Sequence, residues 1–220
     1  QKMTKNNYVV YHLHTEQSLL DSCTNYKDYV DRAVGLGQEA IAFTEHGNVF
    51  NWVEKKMYCD AKGIKYIHGV ECYLTEQLEP KVRDNYHTIL LAKNYEGVKE
   101  INRLCYIASQ PDHFYYRPRL SFDEFLGISD NVIKISACLA SPLNEWRKNY
   151  VQYSTSKFAD IASHYDYLEI QPHDFEEQIQ FNKFLYTMHE DLHIPLIAGT
   201  DTHSINQYKA ECRTMLQYSK

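Results

Sequence analysis

Two histidines close the apolar run Tyr-Val-Val-Tyr-His-Leu-His at residues 8–14. In an extended strand alternate side chains share a face, so His12 and His14 point the same way and could grip one metal ion. The pair could equally be the polar edge of a strand; the choice depends on whether the rest of the chain supplies partners. Further donors do follow other apolar runs: Thr44-Glu45-His46-Gly47, Gly69-Val70-Glu71, Ser136-Ala137-Cys138 and Gly199-Thr200-Asp201-Thr202-His203, with Asp21 seven residues beyond His14. Imidazole, carboxylate and thiolate donors suit zinc, and manganese or iron where carboxylates and imidazoles dominate. His87 opens an apolar run instead of closing one, so strand-end logic places it poorly.

The elements that must position these groups are seven apolar runs that read as buried strands, at 8–11, 39–44, 64–72, 87–92, 132–136, 167–171 and 195–199. Helical patterns lie between them. Residues 25–37 put Tyr26, Tyr29, Val30, Ala33 and Val34 on one face with a Gly stop, and 50–63 repeat the arrangement with Trp52, Val53, Met57 and Ala61. Further helices are expected at 95–109, 122–126, 154–164, 176–193 and 206–218. This alternation implies parallel strands and an α/β architecture. With no Gly-rich dinucleotide turn, it favours a closed or nearly closed barrel over an open sheet, and in such barrels functional groups gather at one rim of strand ends. The longest irregular stretch, 110–119, holds two prolines and an aromatic-basic cluster.

Composition narrows the class of molecule. A 220-residue chain that is 44% hydrophobic can bury a core as a single domain over 1–220. No apolar run approaches the roughly 18 residues that span a bilayer, and the polar start at 1–7 has no signal-peptide core, so a cytoplasmic protein without a membrane partner is expected. The six cysteines are scattered without a Cys-x-x-Cys pair, which suits reduced thiols. A formal charge of −6 argues against nucleic-acid binding through bulk electrostatics, so any phosphate would be held locally. No Asp-x-Asp pair of the nucleotide-metal type occurs, which argues against polymerisation by these residues.

Taken in order, His-x-His, Thr-Glu-His-Gly, Gly-Val-Glu, the lone His87, Ile-Ser-Ala-Cys and Gly-Thr-Asp-Thr-His resemble the polymerase and histidinol phosphatase (PHP) domain, a distorted seven-stranded (β/α)7 TIM-like barrel with a trinuclear metal site. The resemblance covers nearly the whole chain. It is nearest to the N-terminal PHP domain of bacterial DNA polymerase III alpha subunits, through residues 12–21, 87–93 with Glu96-Gly97, Phe-Tyr-Tyr-Arg-Pro-Arg at 114–119 and Tyr-Leu-Glu-Ile-Gln at 167–171. Carried over position by position, it implies nine ligands: His12, His14, Asp21, His46, Glu71, His87, Cys138, Asp201 and His203. One divalent ion (Zn, Mn or Fe) would be held by His12, His14, Glu71 and Asp201, a second by Glu71, His87 and Cys138, a third by Asp21, His46 and His203. None of the nine is missing. Two positions depart from the family's usual pattern, Glu45 for Asp and Ala137 for Gly.

The resemblance implies phosphoester hydrolysis, with Glu71, Asp201 and His203 as the catalytic residues and a nucleic-acid 3′ end as substrate, cut by a 3′–5′ proofreading exonuclease. Two other readings are a free-standing phosphatase on a small phosphomonoester or nucleotide, and a metal-stabilised scaffold of a replicative polymerase without catalysis. Arg117 and Arg119 are candidates for substrate phosphate because guanidinium forks suit phosphate oxygens, although ordinary salt bridges fit them as well. Tyr115 and Tyr116 could stack on a base. Of the histidines outside the pattern, His173 comes nearest to a site position, following the sixth strand. The other cysteines are expected to behave as small apolar residues.

Overall fold

The computed structural model describes residues 8–149 and 156–218. The polar start at 1–7 and the first two residues of the helix expected at 154–164 lie outside this set. The fold is mixed α/β, and its longest strand organises it. That strand, β2 (Lys65–Thr75), is buried from His68 onward. β1 (Ala40–Phe43) lies parallel to its first half, β4 (Arg119–Ser121) parallel to its end, and β3 (Tyr86–Ala92) runs antiparallel beside it. β5 (Val132–Ile135) is antiparallel to β3, and β6 (Leu168–Ile170) and β7 (Leu196–Ala198) form a separate parallel pair.

The expectation of parallel strands throughout is therefore corrected around β3. The connection from β2 to β3 contains no helix, and a parallel return needs a crossover of a dozen or more residues, usually helical. Reversing β3 has a direct consequence: its start lies beside the end of β2, with Tyr73 opposite His87. His87 thus reaches the same rim as the strand-end donors although it opens its strand.

Residues 8–14 form no regular strand but thread between the sheets through isolated bridges, Val10 to Ile41 and Leu13 to Thr202, while Ile135 bridges Tyr167. Main-chain bonds from His14 N to Thr202 O (2.8 Å) and Thr202 N to His12 O (3.0 Å) fix the two histidines against the segment after β7.

Helices pack outside. α1 (Tyr26–Gly35) is capped by Asn25, whose side chain accepts from Lys27 N, and buries Tyr29, Val30 and Ala33 as expected. α2 (Trp52–Lys62) turns a different face inward: Lys55 and Cys59 are buried, whereas Val53 and Met57 are 46% and 66% exposed. The cause is polar, since the Lys55 ammonium reaches the buried Glu45 carboxylate at 2.9 Å. α3 (Tyr95–Ala108), α4 (Phe122–Leu126), α6 (Ser156–Ser163), α7 (Glu176–Leu192) and α8 (Gln207–Tyr218) fall on expected segments. α5 (Pro142–Asn149) was not expected; it starts on a proline, which suits a first helical position.

Three apolar clusters hold these layers. The largest joins β2 and β3 to α3, α4, α6 and α7, and a second joins Leu13 and β1 to α1 and α2. The third, Tyr11, Ala42, Ile89, Leu91, Ile135 and Ala137, lies between the strands beneath the polar rim. Burying each large side chain contributes about 1.5–3 kcal/mol, so the rim rests on a rigid apolar floor.

Candidate metal centre

Glu71 is the hub. It is fully buried in mid-sheet, with Oε2 2.8 Å from His46 Nδ1 and 3.1 Å from His14 Nε2, and Oε1 2.5 Å from His87 Nδ1 and 3.7 Å from His12 Nε2. Asp201 Oδ1 lies 3.1 Å from His12 Nε2 and 3.2 Å from His14 Nε2. Asp21 Oδ2 sits between His46 Nε2 (2.8 Å) and His203 Nε2 (3.1 Å). Cys138 Sγ approaches His87 Nδ1 at 3.5 Å and Glu71 Oε1 at 3.9 Å. All nine residues named from the sequence therefore meet at one rim.

Local backbone explains two of the approaches. Asp201 has φ +48°, a left-handed conformation that Asp tolerates better than most residues, and the turn aims its carboxylate at both histidines. Ala137 has φ +59° just before Cys138, a left-handed conformation that glycine would adopt at less cost.

The donor atoms fit a cation. His12 Nε2, His14 Nε2, His46 Nδ1, Glu71 Oε2 and Asp201 Oδ1 are buried and face one another at 2.8–3.2 Å without a well-aligned hydrogen bond. These nitrogens and oxygens satisfy one another only while the histidines keep their protons, and a shared cation would serve all five. Three overlapping groups could each hold a metal ion: His12, His14 and Glu71; Glu71, His87 and Cys138; and His14, His46 and His203.

Without a metal the charges hold one another. Burial would push Glu71 up, but His87, His46 and His14 keep its carboxyl well below the usual range, and His12 does the same for Asp201. Burial disfavours a charged His12, yet Asp201 and Glu169 raise its pKa well above the ordinary value; His46, between Glu71 and Asp21, is raised to about 9. Burial, with Asp201 and Glu71 nearby, pushes the Cys138 thiol up. Binding a divalent ion must displace these protons.

Behind the donors stands a layer of residues that strand-end reasoning did not reach. Glu169 in β6, fully buried, accepts from His12 Nδ1 at 2.7 Å, from the Tyr11 hydroxyl at 2.9 Å and from Gln171 Nε2 at 2.7 Å. This fixes the ring so that Nε2 faces Asp201 and Glu71. A Cβ on Gly199 would lie 2.4 Å from the Glu169 carboxyl carbon, so glycine there makes room for the carboxylate. His14 Nδ1 bonds Ser18 Oγ at 2.8 Å, Ser18 Oγ donates to Glu45 Oε2, and Lys55 closes the chain on Glu45. Arg213 of α8 donates from Nε to the Asp21 main-chain oxygen at 2.7 Å. One signal for Glu169 lay in plain sight: like Glu71, it is an acidic residue inside an apolar run, here Tyr-Leu-Glu-Ile-Gln.

The two candidate arginines part company. Arg117 is exposed and lines, with Leu19, Asp21, His46, Tyr73, Asn85 and His87, a polar hollow of about 210 Å³ over the donors; its guanidinium lies 5.7 Å from the Tyr73 ring centre. Arg119 is 1% exposed and donates to His113 O and Val82 O, so it ties two loops together, and it is not among the residues that line this hollow. His173 stacks on Phe175 and makes no contact with the nine donors, and His68 is buried between Tyr66 and Asn102.

Comparison with known proteins gives the family. Residues 11–173 match the family model described as the PHP domain. The DNA polymerase III subunit alpha of Borreliella burgdorferi is 32% identical over 96% of this chain, and that of Aquifex aeolicus 31% over 95%. The chain spans 19% of the length of each of these relatives. Among solved structures, one described as a metal-dependent phosphoesterase from Bifidobacterium adolescentis matches with a TM-score of 0.58 at 14% identity, covering 89% of this chain and 87% of that one. An amidohydrolase from Chromobacterium violaceum with bound sulfate matches at 0.56 and 14%, covering 90% and 88%. At such identity these two speak to fold alone. From its matched length and its relatives, this chain belongs to the PHP domain family.

Proposed function

We propose that this chain is a metal-dependent phosphoesterase that removes nucleotides from the 3′ end of a nucleic-acid strand, with three divalent ions at the rim. The observation that carries the reading is the convergence of buried imidazole nitrogens and carboxylate oxygens around Glu71, with Arg117 at the mouth. Bound at such a site, divalent ions lower the pKa of a shared water and neutralise phosphoryl charge. Glu71 would bridge, His12, His14 and Asp201 would hold one ion, His87 and Cys138 a second, and Asp21, His46 and His203 a third. Asp201 would accept the proton of the attacking water through the carboxylate oxygen not engaged by the ion, while His203, whose Nδ1 donates to the Asp201 main-chain oxygen at 2.8 Å, would keep Nε2 toward the site. Arg117 would grip the phosphate oxygens. The bridges at Val10, Leu13 and Ile135 support reading the two sheets as one distorted seven-stranded barrel in a single domain.

A second reading, a metal-stabilised scaffold of a replicative polymerase, is favoured by the two DNA polymerase III alpha relatives, of whose length this chain spans a small part. The test is release of label from 3′-labelled single-stranded DNA with manganese or zinc, with Asp201→Asn as control. Hydrolysis lost in the variant supports the first reading. Metal bound without hydrolysis of this substrate or of nitrophenyl phosphate supports the second, and turnover of nitrophenyl phosphate in preference to DNA indicates a small phosphomonoester instead.

A further inference from the structure

The loop at 114–119 holds two adjacent side chains apart. Arg117 lines the hollow over the metal donors, whereas Tyr116, with φ +59°, is 67% exposed. Positive φ is uncommon for a bulky residue and persists where the surroundings enforce it. Here they do: Tyr115 N bonds Arg117 O at 3.1 Å across the tip, and the Tyr115 ring meets Tyr116 edge-on at 4.7 Å between centroids. Arg119 then locks this loop to the neighbouring one, since its buried side chain donates to His113 O (3.2 Å) and Val82 O (2.6 Å). The residue after Val82 is Arg83. Its guanidinium lies 4.8 Å from the Tyr116 ring centre, with Nη2 3.5 Å from the hydroxyl. Asn85, two residues on, lines the same hollow as Arg117 and donates to Arg83 O at 2.9 Å. An exposed cation and an exposed ring are thus set side by side on the flank of the hollow, on loops braced from behind.

We propose that Arg83 and Tyr116 form a nucleotide shelf: the Tyr116 ring stacks on a base of single-stranded nucleic acid and Arg83 meets the adjoining backbone phosphate, while Arg117 takes the phosphate nearest the metals. Stacking on an aromatic ring accepts any base, and a guanidinium beside it suits a backbone phosphate. The shelf would separate polynucleotides from simple phosphate esters, which occupy the hollow alone. The inference rests on the phosphoesterase reading for the position of the strand end but needs no turnover for binding.

The test measures oligonucleotide binding by fluorescence anisotropy with calcium in place of manganese, and in parallel KM and kcat for a labelled oligonucleotide and for nitrophenyl phosphate. In Tyr116→Ala, oligonucleotide affinity should fall about five- to hundredfold, the loss of one base–aromatic stack. KM for the oligonucleotide should rise with little change in kcat, so that selectivity over nitrophenyl phosphate falls by the same factor. Tyr116→Phe keeps the ring and should restore affinity, and Arg83→Gln should weaken binding with a shallower salt dependence. Unchanged oligonucleotide affinity in Tyr116→Ala, no rescue by Tyr116→Phe, or no oligonucleotide binding by the wild type overturns the shelf. Binding that depends on Tyr116 in a protein that hydrolyses nothing upholds the shelf while rejecting the phosphoesterase reading.

Discussion

Glu169 acts on the site only through His12. With one carboxylate oxygen on His12 Nδ1 and the other on Tyr11, it selects the tautomer that presents Nε2 to the donors. Glu169→Gln keeps the shape but removes the charge, and metal affinity should fall about 10- to 100-fold, the usual cost of losing such a partner. Gly199→Ala should do similar damage by displacing the same carboxylate. Metal titration checks both, and affinity within twofold of wild type in Glu169→Gln would remove Glu169 from the site. The histidines also set a pH dependence. His46 is raised from 6.5 to about 9, so in metal-stripped protein its contribution is full below pH 6.5 and is lost as pH rises through about 9. Glu71 and Asp201 are depressed, so theirs is present at neutral pH and lost on acidification. In a chelator, Tm should fall between pH 6.5 and 9; with manganese the trend should reverse, because the ion competes with protons. Calorimetry at fixed pH steps decides, and a chelated Tm flat over that interval contradicts the charge pattern.

At the scale of elements, the buried Lys55–Glu45 pair carries α2 onto the sheet and braces Ser18 behind His14. Lys55→Met leaves Glu45 buried without its cation and should destabilise by about 3–5 kcal/mol, while Lys55→Met with Glu45→Gln should recover much of that loss. Urea unfolding of the two variants checks this. The same pair shows why part of the fold could not be read from the chain. Apolar spacing put Val53 and Met57 inward, but a single lysine reaching a carboxylate ten residues earlier set the rotation of the helix, a tertiary choice without a local signature. Most of the nine residues that meet at the rim were legible because they stand in short motifs at or near a strand end, and Asp21 through its spacing from His14. His87 was legible only through motif order, its position being explained by the reversed strand beside Glu71. Arg119 looked like Arg117 in sequence, and only burial separates the loop tie from the phosphate candidate.

Considered whole, the molecule carries a formal charge of −6, so nucleic acid would be held by few contacts. Each phosphate contact on a single strand contributes a salt slope of about −0.7, and two, at Arg117 and Arg83, give about −1.4. A log–log slope of binding steeper than about −3 would mean that a broader basic surface is at work. No helix among the described residues is long and apolar enough to cross a membrane. If nine residues from strands, loops and the threaded N-terminal segment make one metal centre, elemental analysis of the purified chain will show it. Three divalent ions per chain, with His12→Ala and Asp201→Asn each lowering the count, is the expected result; one ion or none in the wild type after incubation with manganese or zinc would contradict it.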